Sequence, residues 1–550
     1  MISPRVVGEN KIELVSGWSR RDFLKAAGAT GLSAGFPSFV RAVDALSSDT
    51  VTISILHTTD LHGHILPTED YSGRQHLGGM ARCVTRVRKW REENPNSILI
   101  DVGDVYQGTD VGLRSKGELM IDLFNLTKYD AWIVGNHEFD WGIEPFLHAL
   151  QRSTMPVLAA NTSLEGEPPG EFTDSAHPFA RIQPYLLKEV AGIKIAIIGI
   201  TTPGMPFWFR PEFTKGIDFQ FPVEPVRRAI AKAKSEGANA IVLAGHMGLK
   251  ERSGGDDFAN TVMSLTFEFP EAAVFIAGHT HRPVASRMTN GVLFTQADHF
   301  GIYVGRVDLV FDRATKKLLH QTAQCELMDD RFHLDPAIIS RSQSQLRASD
   351  RALAQPIGEL AETLSVRSRP GEPSDVEVLI GAAIRESLAR ENVQLDGVLH
   401  GVFDEENNFR AGSKTVGDIW NVLPYENYVV TGELATDEIV AVMDEVFLSH
   451  EDRNLVGFQI RTQGRGAERR IKGIALEDGH PLERAKRYRI AFNTFDSRSG
   501  GHHFMKLRDL LEKQAARCTL HSLQTRDALV DYFVRHKTVH KIAAGLAAAA

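Results

Sequence analysis

Residues 131–142 read AWIVGNHEFDWG. An apolar run of strand length, residues 131–134, ends at a glycine. Asn136, His137 and two acids follow within five residues. A buried amide or imidazole without a partner costs about 1–3 kcal/mol. So many polar groups at the end of a buried strand predict a bound partner that compensates for their lost hydration.

Four other apolar runs end in the same way. SILHTTDLHGH (54–64) ends with Asp60 and His62, ILIDVGDVYQG (98–108) with Asp104, IVLAGHMG (241–248) with His246, and VFIAGHTH (274–281) with His279 and His281. Ligands of α/β sheets bind outside the carboxyl ends of the strands. These residues are therefore predicted to meet at one edge, although they are spread over more than 200 positions.

Carboxylates, an amide and several imidazoles suit zinc, manganese, iron or cobalt. The set is too large for one ion, so the sequence predicts a binuclear site in which one aspartate is shared and the ions lie roughly 3.5–4 Å apart. The side-chain oxygen of Asn136 would be a ligand. Each motif alone has an ordinary explanation, such as a turn or a core histidine; their combination at separate strand ends indicates the metal site.

Buried β-branched runs alternate with helical patterns between residues 50 and 310, which favours an α/β sheet. Strands are predicted at 51–56, 97–102, 131–134, 194–200, 240–245 and 273–278, and helices at 79–93 and 224–236. Residues 291–298 and 301–312 are predicted to complete a second sheet of a sandwich. A polar helical segment, 330–356, then leads to an α+β region with a helix at 375–390 and strands at 428–434 and 487–493.

The N-terminal segment carries Arg20 and Arg21, followed by Phe23, Leu24 and a weakly apolar stretch. This pattern is typical of a Tat-type export signal, predicted over residues 1–45 with small residues near Ala45 for cleavage. Because the Tat system exports folded proteins, a metal could be loaded before export. The predicted location is the periplasm or the cell exterior.

The composition narrows the possible partners. The chain has 550 residues, a net charge of −8 and a pI near 6.2, which argues against a nucleic-acid or anionic-membrane partner. It has no apolar run of 18 residues, so no membrane span is predicted. Cys83, Cys325 and Cys518 fit neither a disulfide framework nor a zinc motif and are interpreted as small buried hydrophobic residues. The oligomeric state stays open.

The motifs resemble those of the calcineurin-like metallophosphoesterase superfamily: D-x-H, G-D-x-x, G-N-H-[ED], G-H and G-H-x-H, over about residues 50–310. HTTDLHGHI (57–65), GNHEFDWG (135–142), NVLPYENYVV (421–430) and SGGHHF (499–504) resemble, more narrowly, the 5′-nucleotidase / UDP-sugar hydrolase family. The resemblance implies a four-layer α/β/β/α sandwich over 50–328, a linker helix over 329–356 and a C-terminal α+β substrate-binding domain over 357–542.

The resemblance also implies roles for these residues. One ion would be held by Asp60, His62, Asp104 and His281, and the other by Asp104, Asn136, His246 and His279. The family often has glutamine at the position of His281, so metal preference could differ. His137 matches the catalytic histidine and Asp140 the acid that orients it. The implied enzyme is an exported phosphohydrolase with two divalent metal ions, which activate water for attack on the phosphorus of a small phosphorylated substrate, a nucleotide.

The C-terminal region departs from the family pattern. The segment LDGVLHGVFDEENNFR (395–410) has His400 near the expected asparagine and lacks the expected arginine spacing, and GGHHF stands where the family has GGDGY. Phe495 is a candidate for stacking on the base, with Tyr428 or Tyr425 as the second aromatic residue. Arg367 and Arg369 lie about where the family has substrate-binding arginines.

Two alternatives remain. The first is a sulfur-oxidation thiosulfohydrolase-like enzyme of the same fold, which would act on a protein-bound thiosulfonate. The second is a non-catalytic, metal-containing envelope binding protein. The presence of both His137 and Asp140 argues against the second.

Overall fold

The computed structural model describes residues 49–168, 177–249, 256–402, 407–449 and 453–542. The predicted export signal at 1–45 lies outside the described residues. Within the described part of the chain, no helix has both the length and the apolar character needed to cross a membrane.

Two sheets form the centre of the N-terminal region. The first sheet has seven strands, in the spatial order Leu318–Leu327, Tyr303–Asp312, Thr50–Thr58, Ser97–Asp101, Ala131–Ile133, Val157–Leu158 and Ile182–Gln183. The second sheet has six, in the order Pro283–Thr289, Val292–Ala297, Val274–Ala277, Ala240–Gly245, Ile193–Ile200 and Tyr185–Val190. The strands that lead into the predicted ligands run parallel to their neighbours. Their carboxyl ends therefore lie at one edge of each sheet.

The side-chain alternation of these strands explains the layering. Ile98 and Ile100 pack in a core made by residues of both sheets, whereas Leu99 packs in the cluster on the outer face of the first sheet. On the second sheet, Val242 faces the shared core and Leu243 the outer helices. Because successive side chains point to opposite faces, strands covered on both sides read as continuous apolar runs. The resulting order is helices, sheet, sheet, helices, which is the predicted four-layer sandwich.

The helices cover the outer faces. The described α-helices of this region are Met80–Glu93, Asp110–Ser115, Glu118–Thr127, Ile143–Arg152, Met205–Trp208, Val223–Ser235 and Val262–Glu268, with 3₁₀ turns at His137–Phe139 and Pro178–Arg181 and a small ladder of Thr162–Leu164 with Ile217–Phe219. Helix Pro336–Leu353 follows, capped by the Asp335 carboxylate, and packs through Ile338 on the first sheet's outer cluster.

The C-terminal region is built on a five-stranded sheet. Its strands, in spatial order, are Arg453–Val456, Gly397–Gly401, Arg487–Asn493, Tyr428–Ala435 and Thr519–Gln524, accompanied by a small sheet of Gly412–Thr415, Pro356–Leu360 and Thr538–Val539 and a hairpin of Phe458–Gln463 and Arg470–Leu476. The helices are Asp375–Arg390, Val416–Val422, Thr436–Leu448, Thr494–Ser497, Met505–Leu511 and Thr525–His536, with 3₁₀ turns at Gly466–Glu468 and Gln514–Ala516. Val398 and Leu399 pack in separate clusters, so both faces of this sheet are covered.

Two predictions need correction. Strand Tyr303–Asp312 belongs to the first sheet, beside Thr50–Thr58, rather than to the second. Its apolar alternation fits either sheet, and the choice depends on the path of the chain between Ala297 and Tyr303, which the pattern does not encode. Of the three cysteines, Cys83 is buried as predicted, whereas Cys325 and Cys518 are partly exposed.

Candidate metal centre and cleft

The seven predicted ligands are held in loops that leave parallel strands at their carboxyl ends. Asp60, His62, Asp104, His279 and His281 all have left-handed backbone conformations, with φ between 48° and 72°. Such a conformation costs a non-glycine residue about 1–3 kcal/mol. Five of the candidate ligands have this unfavourable backbone conformation. The loops therefore place these side chains at a cost in backbone stability.

Gly135 of the GNHE segment must be a glycine because Asp104 lies so close to it. A Cβ on Gly135 would lie 2.3 Å from Asp104 Oδ1 and 2.4 Å from the Asp104 amide nitrogen. Only glycine therefore allows the loop after strand Ala131–Ile133 to come this close to Asp104.

The residues form two groups, each of which could hold a metal ion. The Asp60 group consists of Asp60, His62 and His281. Its Nε2 atoms of His62 and His281 lie 3.1 Å apart, and His281 Nε2 lies 3.3 Å from Asp60 Oδ1. Two nitrogens bound tetrahedrally to one zinc ion at 2.0–2.1 Å would be about 3.3 Å apart. The spacing fits donors that share a cation.

The Asp104 group consists of Asp104, His246 and His279. Here His246 Nε2 lies 3.0 Å from Asp104 Oδ2, and its Nδ1 lies 2.7 Å from the Val102 carbonyl oxygen. Asp104 Oδ2 is also 3.8 Å from His62 Nε2 of the Asp60 group. Asp104 is thus placed between the two groups, as a bridging ligand would be.

Asn136 tests whether these residues fit metal ions. Its Oδ1 atom is buried and has no hydrogen-bond donor among the described residues. A buried amide oxygen without a partner is unfavourable in a folded chain. Together with the donor set around Asp104, it fits a divalent cation as the missing partner.

Burial keeps two of the imidazoles in the form that binds metals. It lowers the pKa of His62 to about 3, and burial together with His246 lowers that of His279 to about 3. Both are neutral at pH 7, as a metal ligand must be. For His246, burial is outweighed by the Asp104 carboxylate, which raises its pKa to about 9. A proton and a cation would therefore compete for His246.

His137 lies beside the two groups. Its Nδ1 is 2.7 Å from Asp140 Oδ2, and its Nε2 is 4.0 Å from Asp104 Oδ2. Burial disfavours the imidazolium, but the Asp140 and Asp104 carboxylates outweigh it and raise the pKa of His137 to about 10. Asp140 therefore fixes the ring and leaves Nε2 directed toward the centre.

A cavity of ≈ 530 Å³ opens above this centre. Its wall combines the centre with aromatic and basic side chains from both regions of the chain. The lining includes His62, Asp104, Asn136, His137, Asp140, His279 and His281, then Trp208, Phe209, Arg210, Phe213 and Phe258, and from the C-terminal region Tyr425, Glu426, Asn427, Arg453, Phe495 and Arg498.

Comparison with known proteins identifies the family. Residues 53–283 match the calcineurin-like phosphoesterase family, and residues 356–509 match the 5′-nucleotidase C-terminal domain. The chain thus joins a calcineurin-like phosphoesterase domain to a 5′-nucleotidase-type C-terminal domain. The recognition made from the motifs is thereby confirmed.

Individual relatives add detail to this assignment. The chain is 26% identical to protein UshA of Salmonella pullorum over 523 residues, which are 87% of this chain and 91% of that protein. It spans only 20–57% of the length of several other curated nucleotide phosphoesterases and 5′-nucleotidases that it matches.

Two solved structures share the fold. A 5′-nucleotidase precursor from Thermus thermophilus superposes with a TM-score of 0.66 at 23% identity, covering 90% of this chain and 98% of that one. The sulfate thiohydrolase SoxB of Thermus thermophilus superposes with a TM-score of 0.60 at 17% identity, covering 89% and 95%. At these identities the likeness concerns the fold alone, and it does not separate the two chemistries.

The predicted substrate-binding residues differ in their position relative to the cavity. Phe495 lines the cavity with 42% of its surface exposed, and Tyr425 lines it as well. Tyr428 is half-buried behind this wall, its ring 5.8 Å from that of Phe213. Arg367 and Arg369 are exposed and do not line the cavity; Arg369 lies 4.0 Å from Glu372 on the surface.

Three arginines that the sequence did not predict line the cavity: Arg210, Arg453 and Arg498. Arg498 donates to the Pro206 carbonyl oxygen at 2.8 Å and so joins the two regions of the chain. No local signal marks these residues, because their common position arises from contacts between segments almost 300 residues apart.

Glu138 has a structural role that the sequence did not predict. Its carboxylate is fully buried and accepts from three backbone amides: Gly135 at 2.7 Å, Val105 at 2.7 Å and Asp104 at 3.1 Å. It therefore joins the loop of Asp104 to the loop of Asn136. The acidic residue at the fourth position of the G-N-H-[ED] motif was the sequence signal that could have pointed to this role.

Proposed function

We propose that the protein is an exported, binuclear-metal phosphohydrolase of the 5′-nucleotidase type, which hydrolyses the phosphoester of a nucleotide. The observation that carries the proposal is the Asp104 carboxylate between two groups of potential metal ligands, with His137 beside it at the floor of the cavity. The proposed ligands are Asp60, His62 and His281 for one ion, Asn136, His246 and His279 for the other, and Asp104 for both.

The divalent ions would be zinc, manganese, iron or cobalt. When bound, two such ions supply a nucleophilic water of lowered pKa and charge to stabilise the phosphoryl oxygens. The chain's own contribution is His137. With Nδ1 held by Asp140, its Nε2 is available to donate a hydrogen bond or a proton to the substrate's phosphoryl or leaving oxygen.

The aromatic wall supports a substrate with a planar ring. Phe495 presents an exposed face to the cavity, and its amide nitrogen is fixed by the Asn427 side-chain oxygen at 3.2 Å. An exposed aromatic face on a fixed backbone is suited to stacking on a nucleobase, which is worth about 1–3 kcal/mol. Tyr425, on the same wall, is the proposed second aromatic contact; Tyr428 would support the wall through Phe213.

A substrate screen tests this function. Metal-stripped protein would be reloaded with manganese, zinc, iron or cobalt and assayed for release of phosphate from mononucleotides, sugar nucleotides, cyclic nucleotides and p-nitrophenyl phosphate. We expect metal-dependent turnover with a preference for 5′-nucleotides. Turnover of a thiosulfonate-capped peptide with no release of phosphate from any ester would refute the proposal in favour of the thiosulfohydrolase-like reaction.

Export is proposed from the twin arginines alone. Replacing Arg20 and Arg21 together by lysine should leave the protein in the cytoplasm of a host with a Tat system, whereas the unaltered chain should reach the periplasm. Equal fractions of the two proteins outside the cytoplasm would contradict a Tat signal.

A further inference from the structure

Two candidate metal ligands each contact a residue that leads on to the C-terminal domain. The contact is made by the Nδ1 atom, the ring nitrogen that faces away from the proposed ion. Both ligands, His62 and His281, belong to the Asp60 group. The residues reached are Tyr425 and Glu426, which also line the cavity. Nothing in the ligand motifs themselves requires such connections.

The first connection runs through Tyr71. Nε2 of His281 faces Asp60 and His62, whereas its Nδ1 lies 2.9 Å from the Tyr71 hydroxyl. For Nε2 to bind a cation, Nδ1 must carry the hydrogen and donate it to Tyr71. Burial raises the pKa of Tyr71, and the neighbouring Tyr425 hydroxyl raises it further. Tyr71 thus lies between the candidate ligand and Tyr425 of the C-terminal domain.

The loop that carries Tyr71 is ordered by its own contacts. Asp70 Oδ1 accepts from the amide nitrogens of Ser72 and Arg74, both at 2.9 Å. The Tyr71 ring stacks on His299, with ring centres 4.3 Å apart and planes 14° apart. These contacts order the loop and orient the Tyr71 ring, which is 64% exposed.

The second connection runs through Gln107. Its carbonyl oxygen lies 2.8 Å from His62 Nδ1, and its side-chain Nε2 donates to Glu426 Oε2 at 2.7 Å. Glu426 Oε1 accepts from Arg526 at 3.0 Å. Gln107 is fully buried, and Glu426 and Arg526 are nearly so. In such an environment each of these polar groups depends on its partner.

The Asp104 group is supported differently. Nδ1 of His246 bonds to the carbonyl oxygen of Val102, within the phosphoesterase domain. Within the described residues, the two connections to residues 425–426 thus start from the Asp60 group.

We propose that Tyr71 and Gln107 are positioning residues that couple the Asp60 group to residues 425–426 of the C-terminal domain. Seating of that segment and binding of a divalent cation by the Asp60 group then stabilise each other, because such coupling is reciprocal. Asn427, the next residue, holds Thr494 and Phe495 through its side-chain oxygen, at 3.1 and 3.2 Å. One short segment would therefore connect the metal to the wall proposed for the substrate's ring. The inference rests on the metal binding in the proposed function.

Metal affinity tests the coupling without any assay of turnover. Chelator-stripped protein would be titrated with manganese by equilibrium dialysis and calorimetry, for wild type, Tyr71→Phe, Tyr425→Phe and the double variant. Tyr185→Phe is the matched control, because its hydroxyl bonds to Glu236, outside the cavity lining. Partners of this kind change metal affinity by about 10–100-fold. We expect Tyr71→Phe to weaken one of two ions about tenfold and to leave the other unchanged.

Tyr425→Phe separates coupling from local support, because Tyr425 is connected to His281 only through Tyr71 in this path. It should weaken the same ion in the same direction, and the double variant should bind no more weakly than Tyr71→Phe. Gln107→Met, which leaves the carbonyl oxygen in place, should act similarly through Glu426. Unchanged thermal midpoints of the metal-free variants would show that folding is intact.

Three results would overturn the inference. They are wild-type manganese affinity at both sites in Tyr425→Phe, equal weakening of both ions in Tyr71→Phe, and equal loss in Tyr185→Phe. A wild-type protein that binds no divalent cation would instead remove the proposed function, on which the inference rests.

Discussion

His57 gives a quantitative prediction about stability and pH. It is fully buried in strand Thr50–Thr58, and neither ring nitrogen has a hydrogen-bond partner within the described chain. The ring lies against Gly305 of the neighbouring strand, where an added Cβ would approach Nε2 to 2.0 Å. Burial lowers the pKa of His57 from 6.5 to about 3. The folded state therefore binds the proton far more weakly than the unfolded state.

The sign follows from proton linkage. Above pH 6.5 neither state is protonated at this position, and below it the unfolded state gains a proton that the folded state excludes until about pH 3. Each pH unit in that window lowers the free energy of unfolding by about 1.4 kcal/mol. Lowering the pH from 7 to 5 should thus reduce the free energy of unfolding by about 2 kcal/mol through His57 alone.

The perturbation is His57→Leu, with His320→Leu as the control. His320 is exposed on strand Leu318–Leu327 of the same sheet. Urea unfolding of metal-free protein, followed by tryptophan fluorescence at pH 7, 6 and 5, would measure the change of stability with pH. His57→Leu should lose about 2 kcal/mol less than wild type over this range, and the control should match wild type. Equal losses in His57→Leu and wild type would refute the reasoning, because His57 would then titrate alike in both states.

The other predictions concern the proposed site. Asp104→Asn should lose both ions, because the carboxylate lies between the two groups, and elemental analysis showing two retained ions would contradict the shared ligand. His137→Ala should keep both ions and lose about 10²–10⁴-fold in kcat, with a smaller loss for Asp140→Asn; retained metals with near-normal kcat on every substrate would return His137 to a structural role. Phe495→Ala should weaken binding of a base-bearing substrate by about 1–3 kcal/mol and leave p-nitrophenyl phosphate hydrolysis unchanged, whereas equal losses on both would show that Phe495 is structural.

The N-terminal half of the fold was predictable because its signals are local. Continuous apolar runs mark strands covered on both faces, and the structure places the strands at 97–101 and 240–245 within one residue of the predicted bounds. Helices Met80–Glu93 and Val223–Ser235 likewise begin within one residue of the predicted positions. Convergence of the ligands then follows from the parallel order of the strands.

Features that depend on distant contacts were not predictable. The segment between Ala297 and Tyr303 decides which sheet strand Tyr303–Asp312 joins, and the strand's own apolar pattern does not. Arg210 and Arg498 line the cavity because separate regions meet there, whereas Arg367 and Arg369 were assigned by resemblance in a region whose motifs depart from the family. Resemblance to a family locates functional residues well only where the sequence keeps the family's motif.

The GNHE segment shows why so many polar groups end a buried strand. The Glu138 carboxylate accepts hydrogen bonds from three backbone amides. The His137 ring is paired with Asp140, and the His137 backbone amide donates to Asp104 Oδ1 at 2.8 Å. The chain therefore compensates for these two residues itself. The Asn136 side-chain oxygen, buried beside them, receives no donor from the described chain. Because its neighbours are paired, the cost of this one oxygen is best explained by a ligand position, and loading a divalent cation should stabilise the phosphoesterase domain against unfolding.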